Sequence, residues 1–519
     1  MALFLMKNKL NSVYQLTAAA ICGVVMMLSF APFYVFPLAV VAAVGLCALI
    51  YHASPKQSFW NGFFFGLGLF GSGVYWVFIS ISKYGDVPDV IAFFITAALI
   101  AFLSLYPGIA CFLTNRYFSA HMRSKVIYAF PSIWVFSEWV RSWFMSGFAW
   151  LLVGYSQTNS PLKGFAPIFG VYGISLLVMI TAGLIVHSYM SMRKHHYFDI
   201  YTNLFAVAAI WITGSLLCLI PWTEPAGDPV TVSLVQGNIP QSLKWDPNEI
   251  ELSFNSYQQM SEPLWGKSDF IIWPESSIPM PLQDAMDFVD SMSEKAKSSN
   301  SELIFGIPVQ TKDESGYYNA LVSVGKYENA YTKRQLVPFG EYVPMENIFH
   351  RIFDFMNVPM SNMKPGQMHQ EPMRFGSFKI MPSICYEITY PDLSLVKDRS
   401  VGMLLTATND AWYGRSSAQA QHLQMAVMRS IEMARPGLFV SNDGITAIIS
   451  PQGNIEAEAP DHTSYVLTGK VQPYAGLTPL MNNDIDPLLV IMIVMLFASY
   501  RYARKKHAAH NTDNSITVQ

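Results

Sequence analysis

Lys379-Ile-Met-Pro-Ser-Ile-Cys385-Tyr-Glu-Ile-Thr-Tyr-Pro-Asp392 reads as a buried β-strand that ends on a cysteine. A short apolar run closed by a polar segment is strand-like. The end of such a strand is where α/β folds gather ligand-binding groups. Cys385 is also the only cysteine in the polar part of the chain, because Cys22, Cys47, Cys111 and Cys218 all lie in long apolar segments. It has no disulfide partner there. A lone cysteine is by default a small core hydrophobe, so its case as a nucleophile rests on what accompanies it.

Two other apolar runs end in a reactive residue. Asp269-Phe-Ile-Ile-Trp-Pro-Glu275 gives way to a carboxylate, and Tyr331-Thr-Lys333-Arg-Gln-Leu-Val-Pro-Phe-Gly-Glu341-Tyr-Val-Pro344 carries an ammonium and a second carboxylate. A carboxylate, an ammonium and a thiol at converging strand ends would supply a base, an electrostatic stabiliser and a nucleophile. That is the equipment of acyl transfer through a thioester. Taken singly, Glu275, Lys333, Glu341 and Glu387 read equally well as surface or capping charges. No paired cysteine spacing suggests a metal, and His350, His369, His422 and His462 are scattered, so neither metal nor cofactor is expected. A Cys–His arrangement through His422 has no local support in the sequence.

Around these motifs, strand-length apolar runs recur at Val230 to Val235, Phe270 to Trp273, Leu303 to Ile307, Ala320 to Val324, Ile380 to Ile384, Met403 to Ala407 and Thr446 to Ile449. Helical patterns lie between several of them, notably Leu282 to Ser298 and Ala418 to Met433. The alternation predicts an α/β layered sandwich.

The rest of the chain is of another kind. Only 13% of the 519 residues are charged and 52% are hydrophobic, against about 25% charged in an average soluble domain. Apolar stretches long enough to span a bilayer fall at about Val13 to Phe30, Phe33 to Tyr51, Phe59 to Ile81, Val90 to Leu113, Val126 to Phe144, Pro167 to Met190 and Leu204 to Pro221, with one more from Pro487 to about Tyr500. The first continues past Ala18-Ala19-Ala20 for a full span, so it reads as a helix and not as a cleaved leader. Glu138 and Arg141 make the fifth stretch the weakest and should face protein or water. The expected organisation is seven spans in 1–222, a soluble domain in 223–486, an eighth span in 487–506 and a polar tail in 507–519.

Basic residues in the short loops set the orientation. An N-terminus in the cytoplasm gathers Lys7, Lys9, Lys56, Arg116, Arg123, Lys125, Arg193, Lys194, Arg501, Arg504, Lys505 and Lys506 on one side and leaves Lys83, Arg141 and Lys163 on the other. The soluble domain is then outside the cytoplasm. In a bacterium that is the periplasm. With a formal net charge of −3 and no long basic run, nucleic acid is excluded as a partner.

As a set, Trp-Pro-Glu275-Ser, Lys333-Arg-Gln-Leu-Val-Pro-Phe-Gly-Glu341 and Ser-Ile-Cys385-Tyr-Glu387 resemble the Glu, Lys and Cys triad motifs of the nitrilase superfamily. With seven membrane helices before the domain and one after it, the chain resembles the bacterial apolipoprotein N-acyltransferase family. Val235-Gln-Gly-Asn-Ile-Pro240 with Trp245, and Thr408-Asn-Asp-Ala-Trp-Tyr-Gly414, also fit it. The resemblance implies an αββα sandwich and an inner-membrane location. It implies transfer of an acyl chain from a phospholipid, typically phosphatidylethanolamine, to the α-amino group of a diacylglyceryl apolipoprotein, with Glu275, Lys333 and Cys385 as triad. Glu341 would assist the base or position the amine, and Tyr386 and Glu387 would support the nucleophile's loop. Trp245 and Trp412 would touch the acyl chain or a lid, or simply pack.

The segment Phe349 to Met363 is expected to dip into the membrane interface, with Arg351 meeting a lipid phosphate, or else to pack on the membrane helices. Two rival readings are a membrane-anchored amidase, in which water resolves the thioester, and a lipid-binding scaffold or transporter with an inactive soluble domain. The scarcity of ionisable groups in the spans argues against transport.

Overall fold

The computed structural model describes residues 2–85, 87–244, 250–338, 340–342, 362–483 and 487–516. The chain divides into two compact units. One comprises Met1–Tyr75, Phe93–Ile220 and Asn483–Gln519, the other Trp76–Ala92 and Pro221–Asn482.

The first unit is helical: α1 (Ala2–Met27), α2 (Pro37–Ile50), α3 (Pro55–Gly73), most of α4 (Asp89–Tyr117), α5 (Phe130–Trp143), α6 (Ala166–Met192), α7 (Tyr197–Leu217) and the C-terminal helix Pro487–Ile516. Among the described residues, three helices have the length and apolarity to cross a membrane, Asp89–Tyr117, Pro161–Met192 and Tyr197–Leu217. Ser12–Met27, Pro37–Ile50 and Pro487–Tyr502 are shorter apolar helices. Small residues let α1 and α3 approach closely: a Cβ on Gly23 would lie 2.0 Å from the Phe65 carbonyl oxygen, and one on Gly68 equally close to that of Ala20.

The expected span Phe59 to Ile81 is not one straight helix. It is two pieces, Pro55–Gly73 and Trp76–Tyr84, bent by 50°. Glycines at 66, 68, 71 and 73 weaken the helix, and the Ser72 hydroxyl donates back to the Gly68 carbonyl at 2.6 Å, a bond that bends helices. Beyond the break the chain packs with the second unit: Trp76 stands edge-on to Tyr413 at 4.8 Å, and Ser80 Oγ donates to the Trp412 carbonyl at 2.8 Å.

The stretch Val126 to Phe144 is helical: a π-helical segment, Lys125–Ala129, runs directly into the 14-residue α5. Its Glu138 and Arg141 are buried in protein. Glu138 Oε1 accepts from Trp134 Nε1 at 3.1 Å and from the Val153 N–H at 2.9 Å, while Arg141 donates to the carbonyls of Phe148 and Trp150 at 2.8 and 2.6 Å. The two charges thus satisfy the backbone of the loop that follows.

The second unit holds two six-stranded sheets. The strands are β1 (Val230–Gln236), β2 (Phe270–Ile272), β3 (Glu302–Gln310), β4 (Tyr317–Val324), β5 (Asn329–Thr332), β6 (Met373–Phe375), β7 (Phe378–Ile384), β8 (Val401–Thr408), β9 (Gly437–Ser441), β10 (Ala447–Ile449), β11 (Ile455–Glu458) and β12 (Tyr465–Val471). Their order is β12-β1-β2-β3-β4-β5 in one sheet and β11-β10-β9-β8-β7-β6 in the other. Each sheet has three parallel strands at its centre, β1-β2-β3 and β7-β8-β9, flanked by antiparallel neighbours. Parallel strands are covered on both faces and so read as continuous apolar runs; every residue of β8 is buried.

Helices α8 (Ile250–Ser261) and α9 (Met286–Ser299) cover the first sheet through a core that includes Tyr257, Ile271, Trp273, Val289, Met292 and Phe305. Helix α10 (Ser417–Met433) packs on the second sheet, its Met433 joining Met381, Val401 and Leu404. The sheets face each other, with Phe270 of β2 edge-on to Phe375 and Phe378 at 5.0 and 6.0 Å. This is the expected αββα sandwich. It brings the C-terminal ends of the parallel strands of both sheets to one place.

Candidate active site

Each reactive residue sits where a strand stops abruptly. Cys385 follows β7 with φ of +50°, Ser276 follows Glu275 with φ of +49°, and Asn238 turns the chain after β1 with φ of +52°. The left-handed region is costly for residues with a side chain, about 1–3 kcal/mol each, and such residues cluster at functional sites. The turns aim the side chains into the space the strand ends share.

Lys333 is the centre of the charge arrangement. Its Nζ donates to Glu275 Oε1 at 3.1 Å and to Glu341 Oε1 at 2.9 Å, and it is 1% exposed. Asn319, from the middle of β4, bridges the same two carboxylates from Nδ2, at 2.7 Å to Glu275 Oε1 and 3.2 Å to Glu341 Oε1. The remaining carboxylate oxygens take backbone donors: Glu275 Oε2 the N–H of Asn409 at 3.0 Å, Glu341 Oε2 that of Val337 at 2.8 Å. Buried charges are stable only when paired and hydrogen-bonded in this way.

The charges set the protonation states. Burial works against the Glu275 carboxylate, but Lys333 and the Asn319 amide outweigh it and hold its affinity for a proton below the ordinary carboxylate range. Burial likewise works against the Lys333 ammonium, and Glu275 with Glu341 reverse this, keeping it well above the ordinary lysine value. Burial first, and the Glu275 charge second, push the Cys385 thiol up, with Lys333 pulling the other way. The resting set is therefore a thiol facing a carboxylate and an ammonium.

Cys385 is buried, and its carbonyl accepts from His422 Nε2 at 3.1 Å. The other ring nitrogen meets Asp410 Oδ1 at 2.9 Å, which also accepts from Thr408 Oγ1 at 2.8 Å. So His422 does reach the nucleophile residue, though through the backbone and not through sulfur. Tyr386, the next residue, is buried with its ring edge-on to Tyr390 at 5.3 Å.

Glu387 is fully buried and ties two loops together. Its carboxylate accepts the N–H groups of Ile384 at 2.7 Å and Arg334 at 2.6 Å and the hydroxyl of Tyr331 at 3.0 Å. The residue before Cys385 and the residue after Lys333 thus share one carboxylate.

The two accessory motifs form the floor. Asn442 Oδ1 accepts from Tyr257 and from the Ile239 N–H, and its Nδ2 donates to the Ile239 carbonyl and to Asn409 Oδ1. Asn409 in turn gives its Nδ2 to Gln241 Oε1 at 2.7 Å and its N–H to Glu275. Asn319, Asn409, Asn442 and Lys244 were not singled out from the sequence. Two signals point near them: Thr408-Asn-Asp contains Asn409, and Val235 to Pro240 with Trp245 brackets Lys244. Trp412 is half-buried, edge-on to Tyr84 at 5.8 Å. Trp245, Arg351 and most of the segment Phe349 to Met363 lie outside the described residues; Met363 is buried. No group of three or more metal-ligating side chains occurs among the described residues.

A sandwich of this kind, with a thiol, an ammonium and two carboxylates at its strand ends, defines the carbon-nitrogen hydrolase class, and residues 231–479 match the family model described as carbon-nitrogen hydrolase. Residues 22–184 match that of the apolipoprotein N-acyltransferase N-terminal domain. Curated proteins named apolipoprotein N-acyltransferase align over nearly the whole chain. That of Coxiella burnetii is 37% identical over 93% of this chain and 99% of its own, that of Pseudomonas putida 34% over 92% and 95%, and that of Nitrosomonas europaea 35% over 94% and 97%. The chain belongs to the apolipoprotein N-acyltransferase family.

Proposed function

We propose that this protein N-acylates lipoproteins: it takes a fatty acyl chain from a phospholipid, phosphatidylethanolamine being the expected donor, and places it on the α-amino group of a diacylglyceryl-cysteine. The observation that carries the chemistry is Lys333 bridging Glu275 and Glu341 beside the buried Cys385 turn. Glu275 takes the proton from Cys385 Sγ as the sulfur attacks the ester carbonyl. Lys333 still has an N–H to offer the oxyanion, whose stabilisation by one donor is worth about a hundredfold or more. The lysophospholipid alkoxide leaves with the proton that Glu275 took. In the second half-reaction Glu275 deprotonates the incoming amine, the amide forms, and the thiol is restored. The kinetics are ping-pong.

Because the thiol is pushed up and Glu275 is held down, a free thiolate is not the resting form. Proton transfer therefore accompanies attack, which protects the site from adventitious electrophiles. We further propose eight membrane spans, with 1–222 carrying seven and 487–506 the eighth, and the catalytic domain 223–486 on the periplasmic side of a bacterial inner membrane. The apolar helices and the basic-residue bias support this reading. Both substrates are lipids, and lifting an acyl chain into water costs about 0.8 kcal/mol per methylene, which a membrane-embedded enzyme avoids.

Intact mass spectrometry of the purified chain after exposure to phosphatidylethanolamine tests the proposal. A hydroxylamine-labile fatty-acyl adduct, absent from Cys385→Ala and discharged by a diacylglyceryl-cysteine peptide that becomes N-acylated, is expected. An adduct that decays in water regardless of the peptide would instead make the protein a hydrolase.

A further inference from the structure

A buried charge beside Glu275 has no task in the triad reading. Lys244 closes the short helix Gln241–Lys244, is 1% exposed, and donates from Nζ to the Glu275 main-chain carbonyl at 3.0 Å. Among the described residues that carbonyl is its one hydrogen-bond acceptor, although an ammonium has three protons to give. A lysine is almost never fully buried without a counter-charge, and in the resting set the charge that acts on this one is Glu275, joined by Cys385 once the sulfur is deprotonated.

We propose that Lys244 is a second cation of the catalytic set, a positioning residue that fixes the Glu275 turn and balances the second negative charge of the set, which sits on Glu275 before Cys385 gives up its proton and on sulfur after. The inference rests on the Glu275, Lys333 and Cys385 reading. Lys333 is shared between Glu275 and Glu341, so those three groups alone carry one surplus negative charge. With Lys244 protonated and Cys385 a thiol the five groups sum to zero, and moving a proton from sulfur to the Glu275 carboxylate shifts a negative charge within the set without changing that sum. In a low-dielectric interior that difference is large compared with the same change in water.

Burial lowers Lys244 to about 8 against the pull of Glu275. The other groups facing it do not titrate nearby: Glu275 is held below the carboxylate range, and Lys333 and Cys385 lie well above their ordinary values. The cation is therefore lost as pH rises through about 8, and acylation of Cys385 slows with it.

The test is single-turnover acylation of the purified full chain by phosphatidylethanolamine without acceptor, followed by intact mass from pH 6 to 9.5, for wild type, Lys244→Met and Lys244→Arg. Wild type is expected to slow above about pH 8. Lys244→Met is expected to be at least tenfold slower at pH 7 and to lack that fall, while Lys244→Arg keeps most of the rate and moves the fall upward. A Lys244→Met enzyme that equals wild type, or is slower at every pH with the fall unchanged, overturns the proposal. Should Lys244→Met not fold, the arginine variant decides: an unmoved alkaline fall sinks it. Acylation that persists in Cys385→Ala would overturn the triad reading itself and is read separately.

Discussion

Glu387 Oε2 accepts the backbone N–H of Ile384 at 2.7 Å, immediately before the nucleophile, while Oε1 accepts that of Arg334, immediately after Lys333. One buried carboxylate therefore sets the spacing of thiol and ammonium. Burial raises its proton affinity above the ordinary carboxylate value despite Arg334 and these donors. Removing a buried, multiply bonded carboxylate typically costs about 3–5 kcal/mol. Glu387→Ala is expected to lose that much stability and nearly all acylation, and Glu387→Gln to keep the fold and lose part of the rate. Thermal unfolding beside single-turnover acylation checks both; an alanine variant that melts like wild type would refute the splice.

Gly306 lies against the Glu275 turn. A Cβ there would stand 2.4 Å from the Ser276 nitrogen and 2.6 Å from the Pro274 carbonyl oxygen, both backbone atoms that cannot swing aside. Gly306→Ala must displace Glu275, and a misplacement of about 1 Å can cost about a hundredfold in rate. The expected result is a folded protein with acylation reduced by about that factor. Unchanged acylation in Gly306→Ala would mean that the position of Glu275 is not critical.

The pH dependence of Glu275 has a definite sign. Its folded-state proton affinity lies below the unfolded value, so its contribution to stability is present above the ordinary carboxylate range and is lost as pH falls through the lower folded value. The acid limb of acylation is expected below the usual carboxylate range. Asn319→Leu removes a donor that favours the charged form, so the limb should move to higher pH and the rate at pH 7 should fall about tenfold. An acid limb that does not move would show that Glu275 is not the base.

What the sequence discloses here depends on adjacency along the chain. Glu275, Lys333 and Cys385 are legible because each follows its own apolar strand directly, so a one-dimensional reading meets strand and reactive group together. The αββα layering is legible for the same reason, since β8 is a continuous buried run and β7 is buried from Ile380 to its end. Asn319 is not legible: it is one polar residue inside β4, and its place opposite Pro308 and beside two carboxylates is fixed by sheet register. Lys244 ends a four-residue helix in polar sequence, where a lysine ordinarily meets water. The strands Asn329–Thr332 and Met373–Phe375 are short edge strands with little apolar signal. The bend after Gly73 is hidden because hydropathy runs on through it; glycine spacing and the packing of Trp76 on Tyr413 decide it.

His422 joins Asp410 Oδ1 at 2.9 Å to the Cys385 carbonyl at 3.1 Å, with all three residues buried. The ring holds a residue that sits at φ of +50°, a conformation costing about 1–3 kcal/mol that persists only where its surroundings over-determine it. His422→Phe keeps the aromatic packing against Phe439 but removes the ring nitrogens that link the buried Cys385 carbonyl to the buried Asp410 carboxylate, and a buried polar group left unpaired costs about 1–3 kcal/mol. Acylation is expected to fall at least about tenfold as the turn relaxes. Because Asp410 acts on Cys385 through the same ring, Asp410→Asn and His422→Phe should be strongly non-additive. Combining them would cost little more than the worse single change. A fully additive pair in thermal unfolding and acylation would show that the ring does not transmit Asp410's hold on the nucleophile.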